Sequence, residues 1–195
     1  MQMLRRDFYT RNDVVGVARD LLGKVLCSHF DGRETKAIIT ETEAYAGVGD
    51  RASHAYGGRR TKRTEPMYRE GGIAYVYLCY GIHHLFNVVI GEVGDPQAVL
   101  VRAGRPLEGI ESMLARRAKE RVDENLLAGP GSLAQALGIR TEFSGTSLVG
   151  AQIWIEDHDI LFDEQSITVG PRIGVDYAAE DAARPYRFVL TAPIR

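Results

Sequence analysis

Short apolar runs of strand length recur along this chain, while helical spacing is rare. KVLCSHF and KAIITETEAY, separated by the turn-like DGRE, read as paired strands. AYVYL (74–78) and LFNVVI (85–90) read as a hairpin with Cys79 to His84 at or near its tip. AVLVRA (98–103) adds a strand, and IWIEDHDI, SITVG and YRFVL supply more short strands in the C-terminal third. Helical signals are confined to DVVGVARDLL (13–22), with Asn12 or Asp13 as N-cap and Gly23 as stop, to PLEGIESMLARRA (106–118), and to SLAQALGI after the GPG turn. The expectation is an α+β fold: one compact domain over residues 1–195, with a strongly curved, mostly antiparallel β-sheet and peripheral helices.

Residues 46–72 break this pattern. They are rich in Gly and Arg, lack an apolar period, and form a loop of a length that is usually functional or mobile. Six of the nine tyrosines fall between Tyr45 and Tyr80, in and around this loop. Within residues 51–69, Arg51, Arg59, Arg60, Lys62, Arg63 and Arg69 stand against Glu65 alone. Aromatic rings stack on bases and cations attract phosphate, so the window points to nucleic acid, with Arg59, Arg60, Lys62 and Arg63 as candidate backbone contacts. Such a loop is also commonly just a solvated surface.

The net charge of −2 argues against a generic nucleic-acid coat, because residues 156–181 are strongly acidic with Arg172 as the lone cation. A dipolar surface is expected, one face suited to phosphate and the other repelled by it. The N-terminal stretch has no apolar run after its charges, and no later segment is long and apolar enough to span a bilayer. A soluble, cytoplasmic protein follows, associated with the nucleoid if prokaryotic. Cys27 and Cys79 sit in apolar runs as small packing residues. The histidines, including the adjacent His83 and His84, show no zinc spacing, so neither metal nor disulfide is expected.

Alternation along a strand puts Glu41, Glu43 and Tyr45 on one face, with Thr40, Thr42 and Ala44 on the other. Two acids and a ring on one surface can be a solvated sheet edge, but the basic loop that follows raises a catalytic reading. The histidine in that loop, His54, is of a kind more often structural than functional, and Tyr75 and Tyr77 share a strand face that by itself suits core packing.

In order along the chain, ETEAY, SHAYGGRRTKR, YVYLCYGIHHLFN, AVLVRAGRPLEG and GPGSLAQALGI resemble the alkyladenine (3-methyladenine) DNA glycosylase family. The resemblance runs from DFYTRNDVVGVARDLLGKVL to ARPYRFVL, essentially the whole chain. It implies a monofunctional base-excision repair enzyme, without metal, cofactor or lysine Schiff base. Such an enzyme flips out alkylated or deaminated purines such as 3-methyladenine, 7-methylguanine, hypoxanthine or ethenoadenine, and hydrolyses the N-glycosidic bond. By this resemblance Glu43 is the general base that activates water, and Arg102 lies near that water and the DNA backbone. Tyr45, His54 and Tyr77 sandwich the flipped base, backbone groups around Ala52 and His54 meet its edge, Asn87 crowds the 2-amino group of guanine, and Tyr80 wedges into the duplex. The partner is double-stranded DNA containing damaged purines, bound by a monomer. Where vertebrate members carry larger hydrophobic and aromatic residues after the wedge, this chain has His83 and His84. The rival readings are a lesion-binding module without catalysis, and a metal-dependent nuclease using Glu41, Glu43 and Asp50.

Overall fold

A computed structural model describes residues 1–191. The strands are β1 (Gln2–Met3), β2 (Val25–Phe30), β3 (Arg33–Tyr45), β4 (Ala74–Cys79), β5 (His83–Ile90), β6 (Gln97–Glu108), β7 (Ile153–Asp157), β8 (Ile167–Gly170) and β9 (Arg187–Leu190). The α-helices are α1 (Arg6–Tyr9), α2 (Val14–Asp20), α3 (Ile110–Arg117) and α4 (Pro130–Leu137). The nine strands form one sheet in the order β1-β7-β2-β3-β6-β5-β4, with β9 also paired to β3 and β8 to β9. Every pairing is antiparallel, so the fold is α+β as the sequence indicates. No helix among the described residues is long and apolar enough to cross a membrane.

Local chemistry fixes the elements. Asp13 caps α2 by accepting from the Gly16 amide at 2.9 Å, and Gly23, at φ +76°, carries the chain out of the turn after the helix. The β2–β3 turn is tighter than DGRE suggests. Asp31 and Gly32 both take positive φ, the pattern of a two-residue primed turn, so Arg33 already pairs with Phe30. A turn with the same pair of positive φ angles joins β4 and β5, in a connection one residue longer. Tyr80 (φ 52°) and Gly81 (φ 75°) form the turn, the Ile82 amide donates to the Cys79 carbonyl at 3.2 Å, and Cys79 pairs with His83.

The helix expected from Pro106 begins only at Ile110. Residues 106–108 instead prolong β6, where Pro106 faces Ala37 beside a register shift. A proline is tolerated in a ladder at such an irregularity because its missing N–H breaks no regular pair. Gly109 then turns the chain at φ 71°, and a Cβ there would lie 2.2 Å from the Glu34 carbonyl oxygen.

Two apolar layers flank the sheet. On one side Val17 and Ala18 of α2 and Leu133 and Leu137 of α4 pack with Ile39, Ala44, Val88 and Val99. On the other, Tyr75, Val89 and Ala98 lie under Ala55, Met67 and Tyr68 of the 46–72 loop. Thr42 faces the helices, donating to the Ala18 carbonyl at 2.6 Å, which leaves Glu43 and Tyr45 for the opposite side. The loop itself folds into short 3-10 turns at Gly47–Gly49, Tyr56–Gly58 and Glu65–Tyr68.

Candidate active site

A cleft of about 420 Å³ opens where β3–β6, the 46–72 loop, the start of α4 and residues 173–177 meet. Tyr45, Ala52, His54, Tyr77, Tyr80, Asn87 and Arg102 all line it, so seven of the positions singled out in the sequence converge on one cavity. Glu43 stands behind that lining and is wholly buried. Its carboxylate accepts from the Ile173 amide at 2.8 Å and from the Tyr45 phenol at 2.9 Å, and Arg102 Nε lies 3.4 Å from Oε1.

Burial raises the Glu43 carboxyl above its usual range, while Arg102, the Ile173 amide and the Tyr45 phenol pull the other way. Like-charge repulsion from Glu41 is the weakest contribution, because Glu41 is itself held by two guanidiniums, Arg102 at 2.9 Å and Arg187 at 2.6 Å. Burial also raises the Tyr45 phenol, reinforced by the Glu43 charge. Tyr45 therefore stays a neutral donor.

His54 and Tyr77 form one corner of the cleft. Their rings meet edge-on at 4.6 Å with 77° between planes, which leaves no room for a base between these two. His54 Nδ1 is 2.9 Å from the Tyr75 hydroxyl. Burial, then Arg63 and Arg59, lower the His54 pKa to about 4, so the ring is uncharged at neutral pH. A neutral ring does not repel a cationic ligand.

Asn87 is buried and donates from Nδ2 to the Tyr75 and Leu85 carbonyls at 3.1 and 3.3 Å, which fixes its carboxamide. The Ala52 amide donates to Asp50 at 3.0 Å and its carbonyl accepts from the Tyr177 hydroxyl at 3.1 Å. What Ala52 can still offer a ligand is the second lone pair of that carbonyl. Tyr80 is 91% exposed at the hairpin tip. His83 lines the cleft against Gly131, where a Cβ would stand 2.9 Å from its Nδ1, whereas His84 Nδ1 accepts from the Thr141 amide at 3.2 Å.

The basic loop is not uniform. Arg59, Arg60, Lys62 and Arg63 are all exposed. Arg60 is nevertheless engaged by both oxygens of Glu65, at 2.8 and 2.6 Å, and covers Tyr68, while Arg63 lies 5.8 Å from the Tyr77 ring centre. The expected separation of basic and acidic faces is modified as well. Arg51 bonds Glu180, its amide bonds Asp181, and Asp157 and Glu164 pair with Lys24 and Arg19. Part of the acidic stretch is thus neutralised by cations from the 46–72 loop and from the α2–β2 region.

Sequence reasoning missed the segment that completes the site. Arg172 pairs with Asp50, both side chains being fully buried, and donates to the Ala44 carbonyl at 2.9 Å and the Asp181 carbonyl at 3.0 Å. Burial alone would raise the Asp50 carboxyl, but the Arg172 guanidinium holds it below its usual range. This anchor lays Ile173, Val175 and Tyr177 along the cleft. The signal available was Arg172 as the lone cation of an acidic stretch.

Comparison with known proteins gives a consistent picture. A family model described as "Methylpurine-DNA glycosylase (MPG)" matches residues 7–193. A Chlamydia abortus protein is 47% identical over 189 residues, covering 96% of this chain and 98% of the relative. A Desulfitobacterium hafniense protein is 43% identical over 197 residues, covering 97% and 96%, and one from Bacillus thuringiensis is 47% identical, covering 93% and 92%. All three carry the name "Putative 3-methyladenine DNA glycosylase".

Proposed function

The chain belongs to the methylpurine-DNA glycosylase family, and from that premise we propose that it excises 3-methyladenine and related damaged purines from duplex DNA, with Glu43 as the base. A carboxylate offers about four acceptor directions. Three around Glu43 face Ile173, Tyr45 and Arg102, which leaves one for a water molecule. As the C1′–N bond breaks and the purine departs with the bonding pair, that water adds its oxygen to C1′ and gives its proton to Glu43. The carboxylate also stabilises the positive charge that develops on the sugar. The product is an abasic site in an unbroken strand.

Tyr45 on one side and His54 with Tyr77 on the other grip the flipped base. An alkylated, cationic purine gains further attraction from the ring faces. Stacking is worth roughly 1–3 kcal/mol per base, comparable with the few kcal/mol needed to extrude one, so weakly paired lesions are favoured. The fixed Asn87 carboxamide narrows the pocket against the 2-amino group of guanine. Tyr80 enters the duplex at the vacated position. Arg59, Lys62 and Arg63 contact the phosphates, with Arg60 weakened by Glu65. Register shifts around Glu41 in the β3–β6 ladder support strong local curvature of the sheet. One domain acting as a monomer suffices, since one lesion needs one pocket.

The observation that carries this reading is the Glu43 carboxylate held behind an aromatic cleft by one amide, one phenol and one guanidinium. The nuclease reading is disfavoured because Glu41 and Asp50 are each turned toward an arginine rather than toward a shared point. Glu43→Gln tests the assignment. Single-turnover release of methylpurines from methylated duplex DNA should fall at least about 100-fold while binding to an abasic-site analogue persists. Undiminished release would remove Glu43 from the mechanism, and a wild-type protein that binds damaged duplex without releasing any base would leave the lesion-binding reading.

A further inference from the structure

Arg102 Nε carries a single hydrogen, and the structure gives it two neighbouring acids. Glu41 Oε1 lies at 2.9 Å and accepts the hydrogen bond, while Glu43 Oε1 lies at 3.4 Å and is attracted through charge alone. Glu41 is in turn fixed from β9, where Arg187 Nε donates to the same oxygen at 2.6 Å. Both Glu41 and Arg102 are nearly buried, with side chains 14% and 12% exposed. The backbone contributes as well. The β3–β6 register shifts on both sides of Glu41, an irregularity of the kind that re-aims a side chain, and it brings Glu41 and Glu43 to the same guanidinium.

We propose that Glu41 is a positioning residue that holds the Arg102 guanidinium back from Glu43, keeping one carboxylate lone pair of Glu43 free for the water proton. The inference rests on Glu43 being the base. Without Glu41, Arg102 closes on Glu43, the acid left beside it among the described residues, and a bidentate pair with Glu43 fills the acceptor direction that the water needs. The charged and titratable groups around Glu43 are Glu41 and Tyr45 on β3, Arg102 on β6, Tyr77 on β4, and Arg172 with the Ile173 amide from the C-terminal segment. Of these, Glu41 is the one whose removal both takes away a negative charge and releases a positive one toward Glu43.

The test is the pH dependence of single-turnover methylpurine release from methylated duplex DNA, with folding followed by thermal melting. Glu41→Gln should lower the plateau rate about tenfold and move the acid limb to lower pH, because both consequences favour the ionised form of Glu43. Arg187→Met unties Glu41 from β9 but leaves it on Arg102. It should keep the acid limb in place or raise it, even where it lowers the melting temperature. An unmoved limb in folded Glu41→Gln, or a limb lowered equally by Arg187→Met, overturns the proposal. Should Glu41→Gln fail to fold, Glu41→Asp withdraws the carboxylate by one methylene and should lower the limb in the same direction, and an unmoved limb there overturns the proposal equally. Glu43→Gln measured alongside separates the two levels. Full activity in that variant sinks the base assignment itself, whereas an inactive Glu43→Gln with an unmoved Glu41→Gln limb sinks only the role of Glu41.

Discussion

Arg172 reaches back 122 positions to bind both oxygens of Asp50, and neither side chain is exposed to solvent. Burying two charges is favourable only when the remaining hydrogen-bonding capacity is used. Here Asp50 also accepts the Ala46 and Ala52 amides at 3.0 Å, and Arg172 donates to two carbonyls while lying 4.9 Å from the Tyr45 ring centre, so most of that capacity is used and Arg172 Nε alone of the pair is left without an acceptor among the described residues. The pair therefore couples the fold of the basic loop to the position of the Ile173 amide on Glu43.

Removing one partner should be severe. Arg172→Met leaves Asp50 charged and buried, with an expected loss of about 3–5 kcal/mol in denaturant unfolding. Base release should fall as well, as Ile173 drifts from Glu43. Asp50→Asn combined with Arg172→Met should recover much of the stability without the activity. A single variant as stable as wild type would show that the pair does not anchor the segment.

Glu43 works against stability. Its folded-state carboxyl is raised, so the native protein holds a proton that the unfolded chain releases as pH climbs past the ordinary value of 4.5. The stabilisation present below that value is lost as pH rises through the raised folded-state value. Glu43→Gln should accordingly melt higher than wild type at pH 7, with the advantage vanishing below about pH 4.5. Equal melting at both pH values would contradict the desolvation of this group.

His54 gives the opposite window. Its pKa falls from 6.5 to about 4 on folding, so its contribution is complete above 6.5 and is lost as pH drops toward 4, where the unfolded chain is already protonated. Wild type should lose roughly 2 kcal/mol across that interval relative to His54→Gln. Parallel stability curves for the two proteins would refute it.

Tyr80 holds a left-handed backbone conformation at φ 52° with its ring in solvent, so the free protein gains little from it. Tyr80→Gly should stabilise the free protein by about 1 kcal/mol by relieving that conformation. It should also weaken retention of the flipped nucleotide, read from 2-aminopurine fluorescence beside the lesion. Unchanged fluorescence would remove Tyr80 from the wedge role.

Much of this architecture was legible because its signals are local. Alternation of period two placed Glu43 and Tyr45 on one face, capping chemistry marked α2, and Tyr80 followed from a hairpin whose turn needs positive φ. The 172–177 segment was not legible, since it has no apolar period and its partners lie about 130 positions earlier. Nor does a motif reveal that a backbone group is already engaged, as the Ala52 amide is by Asp50. The extension of β6 through Pro106 was hidden because a proline before a helical pattern reads as a helix start, and only the β3 register shows otherwise.

The closure of β3 by β9 orders events during synthesis. Glu41, Thr42 and Glu43 pair with Val189, Phe188 and Arg187, and the Ile173 amide arrives only just before them in the chain. A ribosome-bound chain that has translated the ETEAY strand and the whole hairpin still lacks the partners that Ile173 and β9 bring to Glu43 and Glu41. A fragment ending before Ile173 would lack both the amide that Glu43 accepts and the strand that pairs with Glu41 and Glu43, so the two halves of the chain complete one another around this carboxylate.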